Sequence, residues 1–253
     1  MDRSLGIVLP AYEPDTDRLA RYVERIHETL APETIRVELD APDEETRTAV
    51  DTLPVECNAV PYRRGKGASI TAGFERLDTD VRCFLDADGS TPAAAAEEII
   101  DRVDDGLAVG SRRHPDADVI GHQTVARRFL GDGFAWVARR LLAANLYDYQ
   151  CGAKAITADV WTGVRSHLYE PGFAWDIELV AMTAALGYDV REIPIEWEDA
   201  PDSTVDPVRT AVDMGRALVA ARHRAKRVTD SRLHDALATG RGGPVALVER
   251  EET

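Results

Sequence analysis

The feature that most constrains this chain is the regular alternation of short apolar runs with amphipathic stretches over residues 4–111. "SLGIVLPAY" has the length and β-branched content of a buried strand. "DTDRLARYVERIHETL" follows, with Leu19, Val23, Ile26 and Leu30 on one helical face. "TIRVELD", "VECNAVPY", "VRCFLD" and "GLAVGSR" read as four more strands. The helical patterns "DEETRTAVDTL", "GKGASITAGFERL" and "TPAAAAEEIIDRV" fall between them, the last with Thr91 as its expected N-cap and Pro92 at its first position. A repeated β-α order predicts the α/β class, with a mainly parallel central sheet and helices on both faces.

The second half has a different grain. Residues 119–148 read as one or two long helices interrupted near Gly131 and Gly133. "GAKAIT" reads as a short strand, "FAWDIELVAMTAALG" as a helix, "YDVREIPIEW" as a strand and "DPVRTAVDMGRALVAARHRAKRV" as a basic helix. No internal repeat or low-complexity linker divides the 253 residues, so one domain over 1–228 is expected, followed by a polar, loosely attached tail over 229–253.

Charge narrows the function classes. The net charge of -15 argues against general nucleic-acid binding and fits a carboxylate-rich surface in a salt-adapted cytosol. Three widely spaced cysteines fit no metal cluster and point to a reduced compartment. No window approaches a membrane span, and "MDRSLGIVLPAY" reads as a first strand, not a signal peptide.

In parallel α/β sheets, ligands bind beyond the carboxyl ends of the strands. Here those ends carry Pro10, Tyr12 and Glu13, then Asp40, then Asp86 and Asp88, then Ser111 and Arg112. Two strand-end carboxylates before a turn suit a hard cation, Mg²⁺ or Mn²⁺, that could bridge a diphosphate. An EF-hand is excluded, because Gly89 falls at the fourth loop position instead of the sixth and a strand, not a helix, precedes it. "RRGKGAS", residues 63–69, is a Gly-rich turn opening a helix, with Lys66 available to an anion; its spacing matches neither a Walker A loop nor a dinucleotide fingerprint.

Taken in order, "VLPAYEPD", "LDAPDEET", "RGKGASITAGF", "FLDADGSTP", "VGSR", "YQCGAKAI" and "FAWDIELVAMTAALGYDVREIPIEWED" resemble the family 2 glycosyltransferases of the GT-A fold. The resemblance covers about residues 4–205 and is strongest to the enzymes that make dolichyl-phosphate glucose and dolichyl-phosphate mannose, with "GKG", "DADG", "QCG" and "WDIEL" leaning toward the glucosyl branch. It implies a metal-dependent, inverting transfer of a hexose from UDP-glucose or GDP-mannose to polyprenyl (dolichyl) phosphate. Pro10, Tyr12 and Glu13 would line the nucleotide pocket, and Asp40 would contact the base. Asp86, Ala87 and Asp88 match the metal motif, with Asp88 the main ligand and Ser90 a weaker one. Arg112, with Arg127 or Arg128, would hold the acceptor phosphate. Asp176 would be either a general base for a hydroxyl acceptor or a residue positioning the sugar or Lys154. Ser203 matches a loop residue that closes over the donor phosphates. Two arginine-rich amphipathic helices, one within 119–148 bearing Arg127, Arg128, Arg139 and Arg140 and the last one bearing Arg209, Arg216, Arg222, Arg224, Lys226 and Arg227, are expected to seat the protein peripherally on the anionic inner face of the cell membrane.

Overall fold

A computed structural model describes residues 3–120, 125–198, 207–229 and 245–250. The first half follows the predicted alternation closely: β1 (Leu5–Tyr12), α1 (Thr16–Leu30), β2 (Thr34–Asp40), α2 (Glu44–Asp51), β3 (Glu56–Val60), α3 (Lys66–Phe74), β4 (Val81–Leu85), α4 (Ala93–Asp101) and β5 (Gly106–Ser111). Local chemistry sets the boundaries. Asp15 and Asp43 cap α1 and α2 by accepting from the backbone N–H groups of Arg18 and Thr46. At α4 the cap position belongs to Pro92, so Thr91 lies one residue outside the expected place, where its carbonyl accepts from the buried Tyr22 hydroxyl at 2.7 Å.

The second half supplies β6 (Asp118–Ile120), α5 (Val125–Leu141), β7 (Ala153–Thr157), α6 (Ala158–Val164), α7 (Trp175–Ala185), β8 (Asp189–Pro194), β9 (Glu196–Glu198) and α8 (Pro207–Val228). Four details differ from the sequence reading. Residues 119 and 120, expected to open the long helix over 119–148, belong to β6, and α5 stops at Leu141. α5 runs through Gly131 and Gly133 as one helix. The stretch 188–197 is two strands in different sheets, parted at Ile195. α6 had no forecast. The central sheet has the order β3-β2-β1-β4-β7-β5-β8 and is parallel except for β7, which runs antiparallel between β4 and β5. β6 and β9 form a separate parallel pair.

Alternation along the strands feeds two cores. Ile7, Leu9 and Ala11 of β1, with Cys83 and Leu85 of β4, face α1 and α4 through Leu19, Val23, Ile26, Ala96 and Ile99. Val8 and Phe84 face the opposite layer, where α3, α6 and α7 contribute Phe74, Trp161 and Trp175. The edge-to-face contacts Phe74–Trp161 (5.0 Å) and Phe84–Trp175 (5.6 Å) fix that layer beneath the site, and each buried aliphatic or aromatic side chain of this kind stabilises by about 1.5–3 kcal/mol.

The tail corrects the expectation of loose attachment over part of its length. Leu247 is buried in the core of the α3/α7 layer, its N–H donates to the Leu168 carbonyl at 2.8 Å, and the Arg250 guanidinium donates to the Tyr169 carbonyl at 2.6 Å. The apolar run 245–248 within the polar tail is the physical reason.

Candidate active site

β1 and β2 end level with one another, Tyr12 pairing with Asp40, β4 stops earlier at Leu85, and a cleft of about 550 Å³ opens beyond them. It gathers Pro10, Tyr12, Glu13, Asp40, Lys66, Asp86, Ala87 and Asp88, eight residues expected from strand ends and the Gly-rich turn. Glu13 (φ 48°) and Ala41 (φ 47°) are both left-handed non-glycine residues immediately after β1 and β2. Such backbone costs of order 1–3 kcal/mol each and is found where a loop is held against a ligand site.

Asp40 is not open to a ligand in the manner expected. Its carboxylate accepts from Arg64 Nε (2.7 Å), the Gly65 N–H (3.0 Å) and the Ser69 hydroxyl (3.1 Å), and its side chain is buried. Arg64 also pairs with Glu38, itself fully buried, at 2.8 Å. Asp40 thus ties down the Gly-rich turn from beneath. Gly65 makes that turn possible: its φ is 96°, and a Cβ there would lie 2.6 Å from the Pro171 carbonyl oxygen. The exposed wall of the cleft is different. Arg63 stacks its guanidinium 4.0 Å above the Tyr12 ring, and Phe173, largely exposed, stands opposite.

Deeper in, four charged groups form a ladder. Lys66 Nζ lies 2.8 Å from Asp86 Oδ1 and 3.3 Å from Asp176 Oδ2. Asp176 Oδ1 lies 2.6 Å from Lys154 Nζ, which also donates to the Cys151 carbonyl at 2.7 Å. Burial disfavours the Lys66 ammonium, but Asp176 and then Asp86 outweigh it and hold Lys66 above the ordinary lysine value. Asp86 is raised: burial pushes it up, Lys66 pulls it back, and Asp88 pushes it up again. A Cβ at Gly152 would collide with the Asp86 carboxylate, so glycine is required beside the ladder. Asp88, by contrast, is exposed. One of its oxygens accepts the Ser90 N–H at 2.9 Å, and the Ser90 side chain is buried.

Residues 6–154 match the model of the family described as Glycosyl transferase family 2. This chain belongs to that family. Glycosyltransferase AglD of Haloferax volcanii is 28% identical over 230 residues, 85% of this chain and 36% of AglD. The dolichyl-phosphate beta-glucosyltransferase of Mus musculus is 24% identical over 245 residues, covering 88% of this chain and 76% of the mouse protein; that of Dictyostelium discoideum is 27% identical over 168 residues, 64% and 51%. The chain therefore spans about a third of AglD and about half of the Dictyostelium protein. Among solved structures, mannosyl-3-phosphoglycerate synthase from Rubrobacter xylanophilus superposes with a TM-score of 0.67 at 15% identity, over 89% of this chain and 74% of that one. Glucosyl-3-phosphoglycerate synthase from Mycobacterium tuberculosis, in complex with Mn²⁺, UDP-glucose and phosphoglyceric acid, gives 0.64 at 12% identity, over 87% and 80%. The likeness establishes the GT-A fold.

In this family 2 chain Arg112 does not line the cleft. Arg112 follows β5 and is forked onto Asp148, with Nε–Oδ2 2.7 Å and Nη2–Oδ1 3.1 Å. Arg127 falls in the first turn of α5, where side chains are outside the described ones, and Ser203 lies outside the described residues altogether. Cys151 is fully buried, and burial pushes its thiol up to about 12, which suits packing and not nucleophilic attack. Sequence reasoning missed Arg63, Arg64, Glu38, Asp148 and Phe173. Arg63 and Arg64 sit inside the quoted "RRGKGAS", so their position was visible while their partners were not.

Proposed function

We propose that this chain transfers a hexose, glucose before mannose, from a nucleotide-diphosphate sugar to polyprenyl (dolichyl) phosphate, with inversion at the anomeric carbon. The observation that carries the acceptor assignment is the clasp on Asp176. Both of its oxygens are held by ammonium groups and its side chain is buried. A general base must reach the proton it abstracts and have a free oxygen to receive it. A phosphate monoester needs no base, because it arrives as an oxyanion. The names of the mouse and Dictyostelium relatives support the same acceptor and favour glucose.

The residues fit a divalent cation. Asp88 is exposed and Asp86 borders the same cleft, both hard oxygen donors. Among the described residues no group of three or more His, Cys, Asp or Glu converges. A cation on Asp88, with Asp86, would complete its shell from diphosphate oxygens and water, the habit of Mg²⁺ and Mn²⁺. Bound there, it would supply positive charge to the departing diphosphate. The chain's own part is to hold the donor: Tyr12 and Arg63 flank the nucleotide, Lys66 and the N-terminal turn of α3 present positive charge to its phosphates, and Asp40 fixes that turn. Arg112 orients the attacking phosphate oxygen with a planar fork.

A surface site is the second part of the proposal. α5 packs on α8, and Trp136, Val137 and Val219 are exposed on them, with Arg140 4.6 Å over the Trp136 ring. No helix among the described residues is long and apolar enough to cross a membrane. Aromatic and aliphatic groups beside arginine suit peripheral binding to an anionic bilayer.

The test is a partition assay in high salt with Mn²⁺ or Mg²⁺. Labelled UDP-glucose and GDP-mannose are supplied separately with dolichyl phosphate, and label is followed into the organic phase. Label from UDP-glucose is the expected result. Retention of all label in water, with transfer to a free alcohol acceptor, would overturn the acceptor assignment.

A further inference from the structure

Arg112 is held on more sides than a solvent-facing arginine needs. Its fork onto Asp148 uses Nε and Nη2, and its own backbone N–H also reaches Asp148 Oδ2 at 3.3 Å. The Trp197 ring of β9 lies 5.4 Å from the guanidinium carbon. Asp148 is in turn fixed. Its carboxylate accepts the Gln150 N–H at 3.0 Å, and its backbone N–H donates to Glu192 of β8 at 2.8 Å. The Glu192 carboxylate also takes the Tyr147 N–H on both oxygens, each at 2.8 Å. Three separate strands, β5, β8 and β9, thereby converge on one guanidinium. Asp148 is buried while Arg112 keeps 21% of its side chain exposed.

We propose that Asp148, itself locked by Glu192, is a positioning residue that presents the unused edge of Arg112 to the acceptor phosphate. The inference rests on the reading that Arg112 holds that phosphate. A guanidinium carries five N–H donors in a fixed plane, and the fork on Asp148 consumes two of them. Of the three that remain, one on Nη1 and one on Nη2 share the outer edge of the plane, which matches two oxygens of a phosphate. Without the clamp the same arginine would sample many rotamers, and ordering it would oppose binding each time. The negative charge of Asp148 also compensates Arg112 in the acceptor-free protein, so the site is formed before the acceptor arrives. Asp148 touches no substrate in this scheme and acts only through Arg112.

The experiment compares wild type with Asp148→Asn, which keeps the shape and removes the charge and one acceptor oxygen. Two readouts are taken on the full chain with Mn²⁺ present, UDP being added only for the binding measurement. One is the KM for polyprenyl phosphate against the KM for the sugar donor. The other is calorimetric binding of citronellyl phosphate, a short prenyl phosphate. The expected result is an acceptor KM and a citronellyl phosphate Kd each raised about ten-fold, the scale of one charge-assisted hydrogen bond, with the donor KM within about two-fold of wild type. Adding Arg112→Ala to Asp148→Asn should then cost little beyond Arg112→Ala alone, since both act through one group. Equal loss on donor and acceptor, or full additivity, would overturn the proposal. Glu192→Gln, at a half-exposed position, asks the same question should Asp148→Asn not fold: a rise in acceptor KM of about three-fold supports the clamp, and an unchanged value contradicts it. If wild type binds citronellyl phosphate but transfers no sugar to it or to the longer lipid, the reaction reading fails and the clamp is still tested by the Kd. If it binds none, both fail.

Discussion

At the carboxyl ends of β1, β2 and β4, the residues of the cleft lie on a strand or in the turn or first helical turn that follows one, apart from Phe173 on the exposed wall. Beyond β5 and β7, each charged group is held by a partner far along the chain: Arg112 by Asp148, 36 positions away, Asp148 by Glu192, 44 away, and Lys154 by Asp176, 22 away. The two regions meet at Lys66, which touches Asp86 on one side and Asp176 on the other. The donor side is assembled by local β-α units, so its chemistry comes with the topology. The far side is assembled by β7 reversing direction between β4 and β5, which carries Lys154 and the 148–152 segment to the ladder.

The most severe way to break the donor side is Asp88→Ala. Transfer should fall by about three orders of magnitude, since the charge on the departing diphosphate loses its main counterweight. A turnover assay at saturating donor that retains more than about a tenth of wild-type rate would detach the metal from Asp88.

The ladder is the next test. Lys154→Met leaves Asp176 buried with Lys66 as its one remaining ammonium partner in the ladder. Removing one member of a buried ionic set is expected to lower stability by about 3 kcal/mol, read from the urea midpoint. A loss under about 1 kcal/mol would mean that Lys154 is not needed to hold the Asp176 side chain in place.

The acceptor side has its own pH signature. Burial opposes the ionised form of Asp148, and the Arg112 charge and its hydrogen bonds overcome this, holding the carboxyl down at about 2. Because the folded value is depressed below the ordinary 3.8 of an unfolded chain, the pair stabilises fully above that value. The contribution, about 2 kcal/mol, is lost as pH falls through the folded value. The stability difference between wild type and Asp148→Asn should be flat from about pH 5 to 8 and shrink below about pH 4. A difference that instead changes between pH 5 and 8 would assign the titration to another group.

How much of this was legible in the sequence follows from the same contrast. The strands, the helices between them and eight donor-cleft residues could be placed, because strand ends and turn glycines announce themselves over a few positions. "RRGKGAS" marked the turn, yet Asp40 reads identically whether it faces a base or clamps Arg64, Gly65 and Ser69. Asp148 and Glu192 carried no motif signal, since their meaning lies in each other and in Arg112. The direction of β7 was equally invisible: a five-residue apolar strand has the same pattern in either sense. Leu247 docked where composition suggested a free tail, because burial of one apolar run outweighs a polar average.

The smallest expected effect sharpens the donor side. Arg63→Ala removes the cation stacked on Tyr12, an exposed pair, and the donor KM should rise about three-fold with kcat unchanged. A fall in kcat without a change in KM would place Arg63 in the chemistry instead of in binding.

The central claim is that the cleft beyond β1, β2 and β4 takes a nucleotide diphosphate together with a divalent cation on Asp88. Calorimetric titration of UDP into the full chain, with and without Mn²⁺, tests it directly in wild type and in Asp88→Ala. Mn²⁺ is expected to tighten UDP binding by at least about ten-fold in wild type and to have no effect on the variant. UDP binding that is indifferent to Mn²⁺ in wild type, or a Mn²⁺ gain that survives in Asp88→Ala, would contradict it.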